Sequence, residues 1–188
     1  LDMYKFELLW EQNFEGSLEL DLTTWSFDLG DGSAEGIPGW GNQEKENYTQ
    51  SSLSFRDQCL VIKASRYIGG NAPSLYYGIG EWQSGKIHTL RKRSFKYGRI
   101  EIIAQAPVGQ GTWPAFWMLG TSIVDVGWPN CGEIDVLEIA GNRPFQLCGT
   151  VHGPGYSGDS GIGKTFDSTT EFSESFHKYG IDWLPDSI

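Results

Sequence analysis

The chain has 188 residues, 39% of them hydrophobic, enough for one domain with a real core and not suggestive of two. Its formal net charge of -10 repels phosphate backbones and anionic headgroups, so neither nucleic acid nor an anionic membrane is an expected partner. No apolar run is long enough to read as a membrane-spanning helix. Glycine is abundant at 25 residues, and aromatics reach 14% with eight tryptophans, a composition of short strands joined by tight turns. The tryptophan excess points toward sugars, because the apolar C–H face of a pyranose stacks on indole. The first residues, LDMYKFELLW, show no basic region followed by an apolar one, so no signal peptide is visible, and one removed before this numbering stays open. Cys59, Cys131 and Cys148 allow at most one internal disulfide, no pair is selected, and free buried thiols fit equally well.

In chain order, KFELLW (5–10) alternates Phe6, Leu8 and Trp10 and predicts a strand. Residues 36–49, GIPGWGNQEKENYT, are Gly-rich, polar and aromatic and read as a loop near a ligand. Further strands are predicted at 59–65, 84–90, 98–106, 115–120, 132–140 and 145–153, most of them punctuated by Gly, Pro, Asn or Asp. Residues 153–175 are rich in Gly, Ser and Thr and read as loop. No long stretch carries a clean helical period, no repeat recurs and no linker divides the chain. The expectation is one all-β domain over 1–188, a sandwich or barrel.

The sharpest signal is CGEIDVLEIAG (131–141), where Glu133, Asp135 and Glu138 sit among Ile134, Val136, Leu137 and Ile139. Side chains alternate faces along a strand, so Glu133 and Asp135 share a face while Glu138, five positions on, points the other way. One extra residue accommodated as a β-bulge near Val136–Leu137 brings Glu138 back to the face of the other two. Like charges in a row repel, and burying an unpaired carboxylate is costly, which suggests a role other than stability. Retaining glycoside hydrolysis needs this toolkit: an ionised carboxylate as nucleophile and a protonated carboxyl as acid and then base, roughly 5–5.5 Å apart. A third carboxyl between them orients the nucleophile and separates their pKa values. A solvent-facing edge decorated with acids is the plain alternative. A calcium site is another, although no ligand loop of the D-x-D-x-D-G kind is present.

Here the chain resembles glycoside hydrolase family 16, and within it the bacterial endo-β-1,3-glucanases, or laminarinases. The matching residues are SGKIHT (84–89), YGRIEIIAQAP (97–107), GQGTWPAFWMLG (109–120), GWPNCGEIDVLEIAG (127–141), GTVHGPGY (149–156) and FHKYGIDWLPDSI (176–188), with WGNQEKENYT (40–49) similar to the family's substrate loop. The resemblance implies a β-jelly-roll sandwich of two curved antiparallel sheets, with the carboxylate strand on the floor of a concave cleft. It makes Glu133 the nucleophile, Glu138 the acid/base and Asp135 the assisting carboxyl. The E-x-D-x-x-E spacing favours the laminarinase side over branches with the shorter E-x-D-x-E. It implies a monomeric, secreted enzyme acting on β-glucan, with no cofactor required for chemistry and with structural calcium in many relatives. The alternatives are an agarase or other galactan hydrolase of the family, and a non-catalytic glycan-binding module. Two departures stand out: Glu46 occupies a position where relatives often have Gln, and relatives continue past the segment ending at Ile188 with further core strands. The expectation is that those strands come from sequence beyond this chain.

Trp113 and Trp117 share a strand face and are candidates to line the cleft, with core packing as the competing fate. Trp128, just before the carboxylate strand, is a candidate stacking platform. Arg99 points opposite to Ile100 and is either a cleft donor or a surface residue. His152 comes after the carboxylate strand, across a GNRP turn. It is expected near the acids, on the aglycone side or supporting Glu138, with an ordinary core or surface position as the alternative. Asn42 is a candidate hydroxyl binder or a turn former. GDSGIGKT (158–165) satisfies the P-loop expression but lacks an apolar strand before it and a helix-forming sequence after it, so a Gly-rich loop is expected instead. Asn47-Tyr48-Thr49 is a glycosylation acceptor triplet.

Overall fold

A computed structural model describes residues 5–188. The chain divides into two compact units, one of Glu7–Ser94 and one of Leu1–Phe6 with Phe95–Ile188. The first unit carries short strands: β1 (Ser26–Asp28), β2 (Glu46–Tyr48), β3 (Leu53–Arg56), β4 (Cys59–Ile62), β5 (Ser65–Arg66), β6 (Ser74–Leu75), β7 (Gly78–Ile79), β8 (Trp82–Ser84) and β9 (Lys86–His88). They pair in small sheets, β1 with β9, β3 with β4, β6 with β7, and β2-β8-β5. Buried Asp31 ties the loops together, its carboxylate accepting from the backbone N–H of Ser33 at 3.0 Å and of Tyr76 at 2.6 Å.

The second unit carries the longer strands: β10 (Gly98–Ala104), β11 (Ala115–Leu119), β12 (Glu133–Glu138), β13 (Gln146–His152), β14 (Ile162–Asp167) and β15 (His177–Trp183). β10 pairs antiparallel with β15, and the other four form an antiparallel sheet in the order β11-β12-β13-β14. The period-two pattern of β10 explains the packing. Ile100, Ile102 and Ala104 are the less exposed positions and alternate with exposed Arg99, Glu101 and Ile103. Opposite them on β15, Ile181, Tyr179 and His177 pair with the inward set. Leu137 and Ile139 from the β12 segment meet Phe172 and Tyr179 in the core, with Ile102, Ala104, Ala106, Phe116 and Leu147 packed around them. One face of the four-stranded sheet therefore buries apolar side chains against β10 and β15. The other face is left for polar groups.

Helix is confined to single turns, such as Ile123–Val126, as the all-β expectation required. Two expectations fail. KFELLW forms no strand: Leu8 is 76% and Leu9 83% exposed, so alternation alone found no partner backbone. Residues 153–175 are not all loop, because β14 runs through them. Every residue of β14 is exposed, so it has no apolar alternation to read, and pairing with β13 alone makes it a strand. None of the three cysteines is in a disulfide. Among the described residues no helix is long and apolar enough to cross a membrane.

Candidate active site

The bulge is present where the carboxylate spacing asks for it. On one side of β12, Phe116 pairs with Leu137 and Trp117 with Asp135, so Val136 is passed over. On the other side, Asp135 pairs with Thr150 and Glu138 with Cys148. Three steps along β12 thus match two along β13, and one residue is extra. Ala115, Trp117 and Leu119 share a face of β11 and lie opposite Glu138, Asp135 and Glu133. Cys148, Thr150 and His152 share a face of β13 and lie opposite the same three acids. Both neighbours place Glu133, Asp135 and Glu138 on one face, turned away from Leu137 and Ile139.

Each acid meets a different environment. Glu133 accepts a hydrogen bond at Oε2 from the indole N–H of Trp128. Asp135 is 4% exposed, and its Oδ2 lies 3.2 Å from His152 Nε2, out of line for a hydrogen bond. Burial pushes the Asp135 carboxyl up to about 8, reinforced by the charge of Glu133, a hydrogen bond to Glu133 and the charge of Glu138. Asp135 therefore holds its proton at neutral pH and donates it to Glu133. Burial and the charge of Glu133 also raise Glu138, with a hydrogen bond from Trp113 and the presence of His152 pulling the other way.

The surrounding residues divide clearly. Trp113, Trp117 and Trp128 are 52%, 36% and 48% exposed, so none is a core tryptophan. Trp113 and Trp128 bond to the two outer acids, and Trp117 lies opposite the middle one. His152 is opposite Glu133 rather than Glu138 and turns its Nε2 to Asp135, with the Trp128 ring 6.1 Å from its own. Arg99 is not brought to the acids. It stands on the outer face of β10, where Nε and Nη2 form a forked pair with Asp182 at 2.7 and 2.9 Å, under the ring of Phe6. The face opposite Ile100 is the outside of the sandwich, which is why that parity does not lead to the cleft. Asn42 belongs to the first unit, where its amide donates to Glu44 at 3.2 Å. Glu46 accepts from the Tyr48 hydroxyl at 3.0 Å, beside Glu44 at 2.6 Å.

Sequence reading missed the residues that flank the acids on β13. Cys148, Thr150 and Gln146 were legible in principle, since they share the parity of His152. The P-loop-like segment has a steric meaning. A Cβ on Gly161 would fall 2.5 Å from His152 Cε1 and 2.7 Å from its Nδ1, and one on Gly163 would fall 2.5 Å from the Gly149 carbonyl oxygen. The segment runs into strand β14 rather than a helix, so no phosphate cradle forms. Among the described residues one group of acids and imidazole could share an ion: Glu133, Asp135 and His152, with ligand atoms within 4.8 Å of one another. Calcium takes six to eight oxygen ligands by general rule, and this group does not supply them.

The antiparallel sheets, with almost no helix, define an all-β protein of the jelly-roll class. It belongs to glycosyl hydrolase family 16, whose model matches residues 41–188. The glucan endo-1,3-beta-glucosidase of Cryptopygus antarcticus is 37% identical over 188 residues, an alignment covering 95% of this chain and 63% of that protein. The laminarinase catalytic domain from Thermotoga maritima MSB8 superposes with a TM-score of 0.89 at 43% identity, covering 95% of this chain and 70% of that one. The endo-beta-1,3-glucanase from Pyrococcus furiosus gives a TM-score of 0.87 at 41% identity, covering 95% and 68%. The chain thus spans just under two thirds of the curated relative's length.

Proposed function

We propose that the protein is an endo-acting, retaining glycoside hydrolase of β-1,3-glucosidic bonds in laminarin-type β-glucan, working outside the cell, where polymers of that size lie. The observation that carries this reading is the bulge, which turns Glu133, Asp135 and Glu138 to one face. Glu133 attacks the anomeric carbon, and the bond to the leaving oxygen breaks as that oxygen takes the proton of Glu138. Glu138, now a carboxylate, removes a proton from water. The water oxygen displaces Glu133 from the anomeric carbon and configuration is retained. Glu138 ends protonated, ready for the next cycle. A carboxyl raised by burial and by a neighbouring charge keeps the proton that the first step spends.

Asp135 and Trp128 both donate to Glu133, which fixes the carboxylate and leaves a lone pair for attack. His152 backs Asp135, and the exposed indoles offer stacking faces for sugar rings. This chemistry needs no metal or organic cofactor. The names of the relatives support β-1,3-glucan as the polymer. The test is reducing-sugar release from laminarin, lichenan and agarose by the protein and by its Glu133→Gln variant. Release from laminarin that disappears in the variant is expected. Release from agarose alone moves the substrate to a galactan, and binding to laminarin without any release makes the protein a binding module.

A further inference from the structure

On the Glu138 side of the acid row, a pocket of about 120 Å³ is lined by Trp113, Glu138, Ala140, Arg143, Gln146 and Cys148. Its polar side is a held chain of contacts. Arg143 Nη1 donates to Gln146 Oε1 at 3.2 Å, and Gln146 Nε2 donates to Asp167 Oδ1 at 3.0 Å. The Gln146 amide is thereby fixed at both ends. Guanidinium carries five N–H donors, of which this contact uses one. Trp113 supplies an indole wall that is 52% exposed. An apolar wall facing a fork of N–H donors suits a sugar ring, with its C–H face on the indole and its hydroxyl oxygens accepting from Arg143.

Resting on the hydrolase reading, in which Glu138 gives its proton to the leaving oxygen, we infer that Arg143 and Gln146 bind the sugar on the leaving side of the cleaved bond and set how strongly that side is gripped. Position along the strands supports this. Gln146 and Cys148 stand at the Glu138 end of β13, and Thr150 and His152 at the Asp135 and Glu133 end. A neutral glucosyl residue is the occupant the donors fit. The other ionisable groups lining the pocket are a carboxyl and a thiol, so Arg143 is the cation among its lining residues.

The experiment compares two substrates in the wild type, Arg143→Ala, Arg143→Lys and Gln146→Ala. Laminaripentaose places sugar on both sides of the bond. An aryl β-laminaribioside places only a nitrophenolate on the leaving side. For Arg143→Ala, kcat/KM on the pentaose should fall on the order of tenfold, as for loss of a charge-assisted hydrogen bond. Aryl glycoside hydrolysis should hold within about twofold, since the removed fork meets only the missing sugar. Arg143→Lys should recover part of the loss, and Gln146→Ala should lose as Arg143→Ala does. Equal losses on both substrates, or no loss on either, would overturn the inference while leaving the hydrolase reading intact. A wild type that cleaves neither substrate overturns the hydrolase reading and this inference with it.

Discussion

Asp135 is the residue on which the chemistry of the site turns, because it is buried, flanked by two acids and protonated at neutral pH. An amide at this position can still donate to Glu133. Asp135→Asn is therefore expected to keep kcat/KM within about tenfold at pH 7, whereas Asp135→Ala loses on the order of a hundredfold. Stability carries the sign of the shift. The native carboxyl holds its proton up to about 8 and the unfolded one releases it near 3.8, so this group's contribution is whole below pH 3.8 and is lost as pH rises through 8. Asparagine has no such slope. The stability of Asp135→Asn relative to wild type should improve between pH 5 and pH 8 by roughly 1–3 kcal/mol, read by denaturant titration at both values. An unchanged gap would mean that Asp135 is already ionised at pH 5.

At the scale of elements, the carboxylate strand was the most legible part of the molecule. The spacing of Glu133, Asp135 and Glu138 predicts a bulge, and Val136 is the residue passed over on the β11 side, with the same extra step on the β13 side. β14 was illegible because a fully exposed strand has no buried face to imprint a period on the sequence. Arg99 shows the limit of parity: opposite Ile100 is correct, but only the pairing of β10 with β15 says that this direction leads to Asp182. His152 was legible as a neighbour of the acids, yet its partner was set by register, which sequence does not give. The register also makes Gly161 a seat for the His152 ring. Gly161→Ala has an ordinary backbone conformation to occupy, with the collision falling on the imidazole. The variant should lose about tenfold or more in kcat/KM while an exposed strand keeps its loss of stability near 1 kcal/mol. A large fall in melting temperature with activity per folded molecule preserved would deny His152 its place in the site.

The whole molecule carries a net charge of -10, with three acids gathered on one sheet face. Such a field does nothing to attract an uncharged polymer and disfavours a polyanionic one. On laminarin, kcat/KM is therefore expected to change less than about twofold between 20 and 500 mM NaCl, because screening acts on charged partners. A steep dependence on salt would point to a charged glycan instead. Composition carries the molecule-scale reading this far. Charge excludes nucleic acid, and the eight tryptophans point to sugars. Three of those tryptophans, Trp113, Trp117 and Trp128, stand exposed around the acids.

Glu133 as the nucleophile of a retaining hydrolase is tested by mass spectrometry after incubation with a 2-deoxy-2-fluoro-β-laminaribiosyl fluoride, which forms the glycosyl-enzyme readily and releases it slowly. One adduct per chain is expected, on the peptide that contains Glu133, and none in Glu133→Gln. An adduct on another residue, or hydrolysis of laminarin with inverted configuration and no adduct, would contradict that role.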